Sequence, residues 1–349
     1  MRPFTYERAA SSDLAIKSLR ANLNGNEPTA AQRAHYLAGG TTLLDLMKLD
    51  VMRPEHVIDI NSLAGQFSAI QSNPDTFRIG GMVRMSEAID HPVLRREVPV
   101  LVQSLELAAS QQLRNMATLG GNVLQRTRCP YFRDTTWQAC NKRNPGSGCA
   151  ALEGFNRMHA VLGVSDRCIA TYPGDFAQAL LALDAAIEVA GTHGQRMIDF
   201  ERLHAPPGET PHIETTLMPG ELIVGFIIPR AAWRRRSVYL KVRDRESYEF
   251  ALCSAAVALD LKDARVRSVR IALGGVATVP WRAKAAEAFL QGKPLDEANA
   301  KLAADAAFEG ARARDHNAYK IELGKQTVSR ALLTAATLEV PDERSGAGA

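Results

Sequence analysis

Five cysteines occur in this 349-residue chain, and four of them, Cys129, Cys140, Cys149 and Cys168, fall in one segment with 10, 8 and 18 residues between successive members. Thiolates are ligands for soft metals, so this group has three chemical readings. Paired disulfides are disfavoured in a chain whose N-terminus, MRPFTYERAASSDLAIKSL, carries charges where a secretory apolar stretch would lie. Structural zinc accepts four thiolates, but its usual sites use close C-x₂₋₄-C pairs, which are missing here. An iron–sulfur cluster tolerates wider spacing, and the segment supplies Gly146, Gly148 and Ala150 as candidate amide donors to sulfur and Arg128, Arg133, Lys142 and Arg143 as compensating cations. On spacing alone cluster, zinc and unligated thiols all stay open. Cys253 sits in the apolar run Phe250-Ala251-Leu252-Cys253-Ser254-Ala255-Ala256-Val257 and reads as a buried small hydrophobe.

A second candidate chemistry lies in paired glycines. Gly39-Gly40, Gly80-Gly81, Gly120-Gly121 and Gly274-Gly275 match neither G-x-G-x-x-G nor G-x-x-x-x-G-K-[ST], which excludes the Rossmann fingerprint and the P-loop. Ala38-Gly39-Gly40-Thr41-Thr42-Leu43 places two small residues and two hydroxyls between a strand and a helix, a composition suited to a diphosphate. Thr118-Leu119-Gly120-Gly121-Asn122 repeats the pattern. No Ser/His/Asp triad or His/Glu metal signature emerges, and His159 and His204 read as isolated surface groups.

The elements that must position these residues alternate in type. Helices are expected over Ser12 to Leu23, Leu43 to Leu49, Val100 to Gln112 and Phe176 to Leu183, with another opening at Ser86. Strands are expected at His35 to Leu37, Val57 to Ile60, Phe77 to Ile79, Ala186 to Ala190 and Leu222 to Ile228. Beyond residue 230, strands at Val238 to Val242, Ala251 to Leu261 and Val266 to Leu273 precede helices over Pro280 to Leu290, Leu295 to Gly310 and Ala318 to Thr337, a block pattern that suggests a separate α+β domain. Arg126 to Arg167 loses periodicity and is too long for an ordinary connection. The run Arg234 to Arg236 reads as a solvated face, and the residues after Pro341 as a disordered tail. With 46% hydrophobic residues the chain can bury a core, and its net charge of +4 gives no field of the kind nucleic-acid binders use. No membrane insertion is expected, because no apolar run is long enough to span a bilayer.

Ala38-Gly39-Gly40-Thr41-Thr42-Leu43 with Asp45-Leu46-Met47-Lys48, and Ala117-Thr118-Leu119-Gly120-Gly121-Asn122-Val123, resemble the two flavin loops of the FAD-binding (medium) subunit of the molybdenum hydroxylases, the xanthine dehydrogenase and aldehyde oxidase family. Ile169 to Leu183 and Leu240 to Tyr248 resemble further segments of that family in the expected order. The resemblance implies an α+β fold with a two-part FAD-binding domain of the PCMH/vanillyl-alcohol-oxidase-like type, divided at residues 1–62 and 63–229, and a C-terminal α+β domain over 230–340 with a three-stranded antiparallel sheet. It implies that the two loops hold the FAD diphosphate through Ala38, Gly39, Gly40, Thr41, Thr42, Leu43, Thr118, Gly120, Gly121 and Asn122. It also places Asp175 at the ribityl or ring side of the flavin, with a helix N-cap as its alternative role, and Lys241 near the isoalloxazine. Residues 125–168 look like the insert found in a subgroup that includes bacterial periplasmic aldehyde oxidoreductases, where it binds a [4Fe–4S] cluster, here through Cys129, Cys140, Cys149 and Cys168.

The implied assembly is a heterotrimer that oxidises aldehydes or N-heterocycles. A large subunit carries the molybdenum–pterin cofactor, a small subunit carries two [2Fe–2S] clusters, and this chain passes electrons through FAD to an external acceptor. Synthesis is expected in the cytosol, and export would require a folded complex carried by a partner's signal. A zinc-stapled scaffold without flavin is the alternative of another class.

Overall fold

The computed structural model describes residues 1–23 and 30–340; the tail after Pro341 lies outside the described residues. Three sheets organise the chain. The first is parallel, with His56–Asp59 between Thr5–Arg8 and Ala34–Leu37 and with Val57 opposite Tyr6 and His35. Helix Ser12–Ala21 covers it, with Ser11 accepting from the Leu14 amide and Ala15, Ile16 and Leu19 turned inward. The i, i+1, i+4 spacing of those three residues gives the apolar stripe that fixes the helix on the sheet.

The second sheet is antiparallel, in the order Ile70–Ser72, Thr76–Gly80, Leu222–Pro229, Ala186–Gly191, Gly194–Asp199. Its central strand Leu222–Pro229 is apolar almost throughout, as a strand covered on both faces must be. The short helices Met85–Asp90, Pro92–Glu97 and Pro99–Glu106 contribute to the same core. Prolines at the first position of the latter two start each helix where the missing amide costs nothing. The single helix expected over Val100 to Gln112 is two helices. Ala109 adopts a left-handed backbone (φ 52°), and Ser110 caps a new helix, Gln111–Met116, by accepting from the Leu113 amide.

The third sheet contains the three expected antiparallel strands, Ser237–Val242, Cys253–Lys262 and Arg265–Gly274, with a two-residue edge strand, Trp281–Arg282, added beside the last. The turn of its hairpin, Asp263-Ala264, has positive φ at both residues, the twist that two-residue hairpins favour. Helices Lys284–Leu290, Glu297–Ala307 and Tyr319–Thr337 belong to this part of the chain, the first opening after the edge strand rather than at Pro280. Helix Phe176–Ala182 has all seven residues buried and joins the second and third sheets. Phe176 stacks edge-on to Phe226 at 5.5 Å, and Tyr239, Ala256 and Ala272 of the third sheet belong to the same apolar core.

Arg234 to Arg236 are not a solvated face. Arg234 is 5% exposed, and both it and Arg235 bind Glu97, at 3.0 and 2.9 Å, while Arg236 donates to the carbonyls of Ala336 and Leu338. The basic run therefore fastens the helical layer of the second sheet to the C-terminal part. Glu97 shows the consequence: burial alone would raise its carboxyl, but Arg235, Arg96 and Arg234 hold it down at about 2.

Candidate cofactor site

Three of the four glycine pairs converge in space. Strand Ala34–Leu37 leads into Ala38-Gly39-Gly40, and helix Leu43–Lys48 follows. A Cβ on Gly39 would stand 2.0 Å from the Met116 carbonyl oxygen and 3.0 Å from Ala117 Cα, so only glycine lets the first loop press on the backbone leading into the second. Gly40 has φ +74°, which turns the chain into the helix. The second loop opens with Thr118, whose hydroxyl accepts from the Gly121 amide, and the Gly120 amide donates to the Gly81 carbonyl at 2.8 Å. Gly81 in turn lies against the Ile223 carbonyl at a spacing no Cβ could occupy.

These contacts border a cavity of about 370 Å³, inside the range of about 300–1,000 Å³ usual for small-molecule clefts. Ala38, Gly39, Gly40, Thr41, Thr42, Leu43, Thr118, Gly120 and Gly121 all line it. Its remaining wall draws on every part of the molecule, including Tyr36 of the parallel sheet, Ile223 of the second sheet, Lys142 of the cysteine segment and Thr278 of the C-terminal part. Two buried polar groups here lack partners. Both Nη atoms of Arg126, a lining residue 6% exposed, make no hydrogen bond, and neither does Asn122 Oδ1. The Arg126 guanidinium lies over the Phe132 ring at 4.7 Å, and the fit to a dinucleotide rests on the glycine cradle, where a Cβ at Gly39 or Gly81 would meet backbone at 2.0 and 2.4 Å.

Asn122, Asp175 and Lys241 are not among the lining residues. Asn122 directly follows the second glycine pair, and its Nδ2 donates to Met85 Sδ. Asp175 and Lys241 meet each other: Lys241 Nζ donates to Asp175 Oδ2 at 2.8 Å and to the Leu107 carbonyl at 2.9 Å, while Tyr239 donates its hydroxyl to Asp175 Oδ1 at 2.6 Å. Asp175 heads helix Phe176–Ala182, but its side chain makes no cap bond, so the pair ties that helix to the third sheet. Burial pushes the Asp175 carboxyl up, against the pull of Lys241 and Tyr239.

The segment carrying the four cysteines is ordered by ion pairs to the flavin-loop elements. Arg128 and Arg133 both bind Asp45, at 3.1 and 2.7 Å, on the helix that follows Gly39-Gly40. Lys142 and Arg126 both bind Glu214, at 2.9 and 2.5 Å, and all three of these residues line the cavity. Burial would raise the Glu214 carboxyl, yet Arg126 and Lys142 hold it at about 2. Arg143 is 8% exposed and donates to the carbonyls of Tyr131, Phe132 and Trp137, closing the loop around Cys140. Within the segment the regular structure is one turn of helix, Pro130–Arg133.

The four thiols are neighbours. Cys140 and Cys149 face each other across a β-bridge, Cys129 packs into the apolar cluster of Cys140 and beside Cys149 in the next, and the neighbouring Cys168 pulls the Cys149 thiol down to about 7. The Ala170 amide donates to Cys168 Sγ at 3.4 Å, while the Phe132 and Arg143 amides donate to the Cys129 and Cys140 carbonyls. Of the amide donors expected from sequence, Gly148 and Ala150 serve Asn141 Oδ1 and the Ala139 carbonyl instead. Burial pushes the Cys129 thiol up to about 12. Among the described residues no three His, Cys, Asp or Glu side chains converge closely enough to hold one metal ion.

Neither histidine is a surface group. His159 is 2% exposed, with Nε2 3.1 Å from Cys129 Sγ, and burial followed by the Lys320 charge holds its ring neutral, with a pKa near 4. His204 lines the cavity and contacts the Val123 carbonyl at 2.9 Å, which also accepts from the Tyr172 hydroxyl. Cys253 is fully buried.

The cradle of converging glycine pairs, open to a cleft between the sheets, is that of a flavoprotein subunit, and the chain belongs to the FAD-binding subunits of the molybdenum hydroxylases. Residues 2–231 match the FAD binding domain in molybdopterin dehydrogenase, and residues 238–335 match the CO dehydrogenase flavoprotein C-terminal domain. It is similar to the aldehyde oxidoreductase FAD-binding subunit PaoB of Escherichia coli K12, with 46% identity over 96% of this chain and 99% of that one. Among solved structures it resembles carbon monoxide dehydrogenase from Hydrogenophaga pseudoflava, with a TM-score of 0.72 and 27% identity, and quinoline 2-oxidoreductase from Pseudomonas putida 86, with 0.71 and 25%. Each match covers 96% of this chain and 97% of the other. The protein is thus an FAD-binding component of an oxidoreductase complex. Among the described residues no helix is long and apolar enough to cross a membrane.

Proposed function

We propose that this chain is the electron-transfer subunit of a molybdenum-containing aldehyde oxidoreductase and that it holds a [4Fe–4S] cluster beside its FAD. Substrate oxidation then belongs to a large subunit with the molybdenum–pterin cofactor, and a small subunit with two [2Fe–2S] clusters connects the two. The reading rests chiefly on one observation: four cysteines of one segment lie close together, and the Lys142 of that segment lines the same cavity as the glycine loops. The 46% identity to an aldehyde oxidoreductase subunit supports the aldehyde over an N-heterocycle as substrate class.

FAD, when bound, joins one-electron donors to a two-electron acceptor. The cluster would add a one-electron store whose potential is set by charge and by hydrogen bonds to sulfur. This chain's residues hold and shield both. The glycine loops would hold the diphosphate, Arg126 and Lys142 line the same cavity, and Asp45 and Glu214 clamp the cysteine segment against the flavin-loop helix and the cavity wall. Synthesis in the cytosol, with any export as a folded complex under a partner's signal, completes the proposal.

The test is anaerobic isolation of the complex followed by mixing with a panel of aldehydes and N-heterocycles. Flavin absorbance near about 450 nm should bleach with aldehydes. Bleaching only by N-heterocycles would move the substrate class, and a complex without flavin would refute the reading.

A further inference from the structure

His159 is a buried side chain that the ligand set does not use. Its backbone is pinned on both sides: the amide donates to the Asn156 carbonyl at 2.9 Å, and the carbonyl accepts from Asn317 Nδ2 at 3.4 Å. The ring lies 6.1 Å from that of Tyr131, on the turn of helix after Cys129. The backbone anchors fix the residue, and Nε2 stands 3.1 Å from Cys129 Sγ, while Nδ1 is buried with no hydrogen-bond partner.

This geometry has one reading if Cys129 is a cluster ligand, and the inference rests on that part of the proposed function. A metal-bound thiolate is an acceptor only, so the 3.1 Å contact is attractive only when Nε2 carries the hydrogen and Nδ1 the lone pair. We propose that His159 is a positioning residue that donates Nε2–H to Cys129 Sγ and raises the reduction potential of the cluster. A hydrogen bond to sulfur draws charge from the thiolate and favours the more negative, reduced state. The Ala170 amide at Cys168 belongs to the backbone and survives substitution; His159 is a side-chain donor at Cys129 that can be removed without altering the chain path.

The experiment uses the whole complex, wild type and with His159→Leu or His159→Gln, reading iron content, flavin content and the potential of the cluster by EPR-monitored titration. With the wild-type iron content of the complex retained, His159→Leu should make reduction of the four-iron cluster roughly tenfold less favourable, which is about 59 mV for one electron. His159→Gln, which can present an amide N–H near the same point, should restore most of the loss. Independently of any variant, complex labelled with ¹⁵N-histidine should show coupling of one ring nitrogen to the reduced cluster. An unchanged potential in His159→Leu with full iron, or no such coupling in the wild type, overturns the role of His159 and leaves the cluster standing. Wild-type complex with about four iron only, those of its two [2Fe–2S] clusters, removes the cluster of this chain, and this inference with it.

Discussion

Gly39→Ala is the sharpest probe of the flavin cradle. The new Cβ would fall 2.0 Å from the Met116 carbonyl oxygen and 2.6 Å from its carbon. Real Cβ contacts do not fall below 3.0 Å, so the two loops must separate by at least 3.0 − 2.0 = 1.0 Å, and both partners are backbone with no side chain to yield. Overpacking of this kind costs about 1–3 kcal/mol, which corresponds to roughly 5- to 150-fold in affinity if it falls on the FAD-binding arrangement. The assay is flavin stoichiometry of the purified complex, with the dissociation constant taken from the recovery of flavin fluorescence on dilution. Gly65→Ala is the control, because its Cβ would meet nothing within 4 Å. Full flavin occupancy and unchanged affinity in Gly39→Ala, with Gly65→Ala behaving identically, would refute the claim that contact between the loops builds the site.

Three further outcomes are expected. Asp175→Asn strands the Lys241 ammonium, whose side chain is 1% exposed, and should cost about 3–5 kcal/mol in thermal or denaturant unfolding; replacing both by apolar residues should cost far less, and equal losses would contradict the buried-pair account. Glu214 has its pKa depressed from 4.5 to about 2, so its stabilisation is present above pH 4.5 and is lost as the pH falls toward 2. The full effect is at most about 3 kcal/mol, an upper bound because the side chain is still 21% exposed, and Glu214→Gln should flatten acid unfolding over that window. Cys140→Ser should lower iron content and alter the cluster EPR spectrum; unaltered iron and spectrum would remove Cys140 from the ligand set.

The parts of this site legible in the sequence are those built from contiguous residues. Gly39-Gly40-Thr41-Thr42 and Thr118 to Gly121 could be read because loop conformation, small size and hydroxyl donors are local properties, and nine of the ten loop residues line the cavity. The cysteine group could be read because its members share one segment. What escaped depends on pairing across long stretches of chain. Glu214 binds Arg126 and Lys142 at separations of 88 and 72 residues, and Asp45 binds Arg128 and Arg133 at 83 and 88. No local spacing announces such partners. His159 and His204 looked like surface groups because their neighbours in sequence are polar, although tertiary contacts bury the first and put the second in the cavity wall. Arg234 to Arg236 misled in the same way, since the carboxylate of the first two, Glu97, lies 137 residues away from Arg234 and the carbonyl of Ala336 lies 100 residues from Arg236. The break before Gln111 did leave a signal, a Ser110 three residues ahead of the Leu113 amide it caps, but the apolar periodicity running through it was stronger.

The central claim is that one chain holds flavin and a four-iron cluster side by side. Metal, acid-labile sulfide and flavin analysis of anaerobically purified complex tests it most directly. With the small subunit's two [2Fe–2S] clusters supplying about four iron and four sulfide of their own, about eight iron, about eight sulfide and one FAD are expected per copy of this chain, with no stoichiometric zinc. About four iron only, or zinc in place of the other four, at full flavin occupancy, would contradict it.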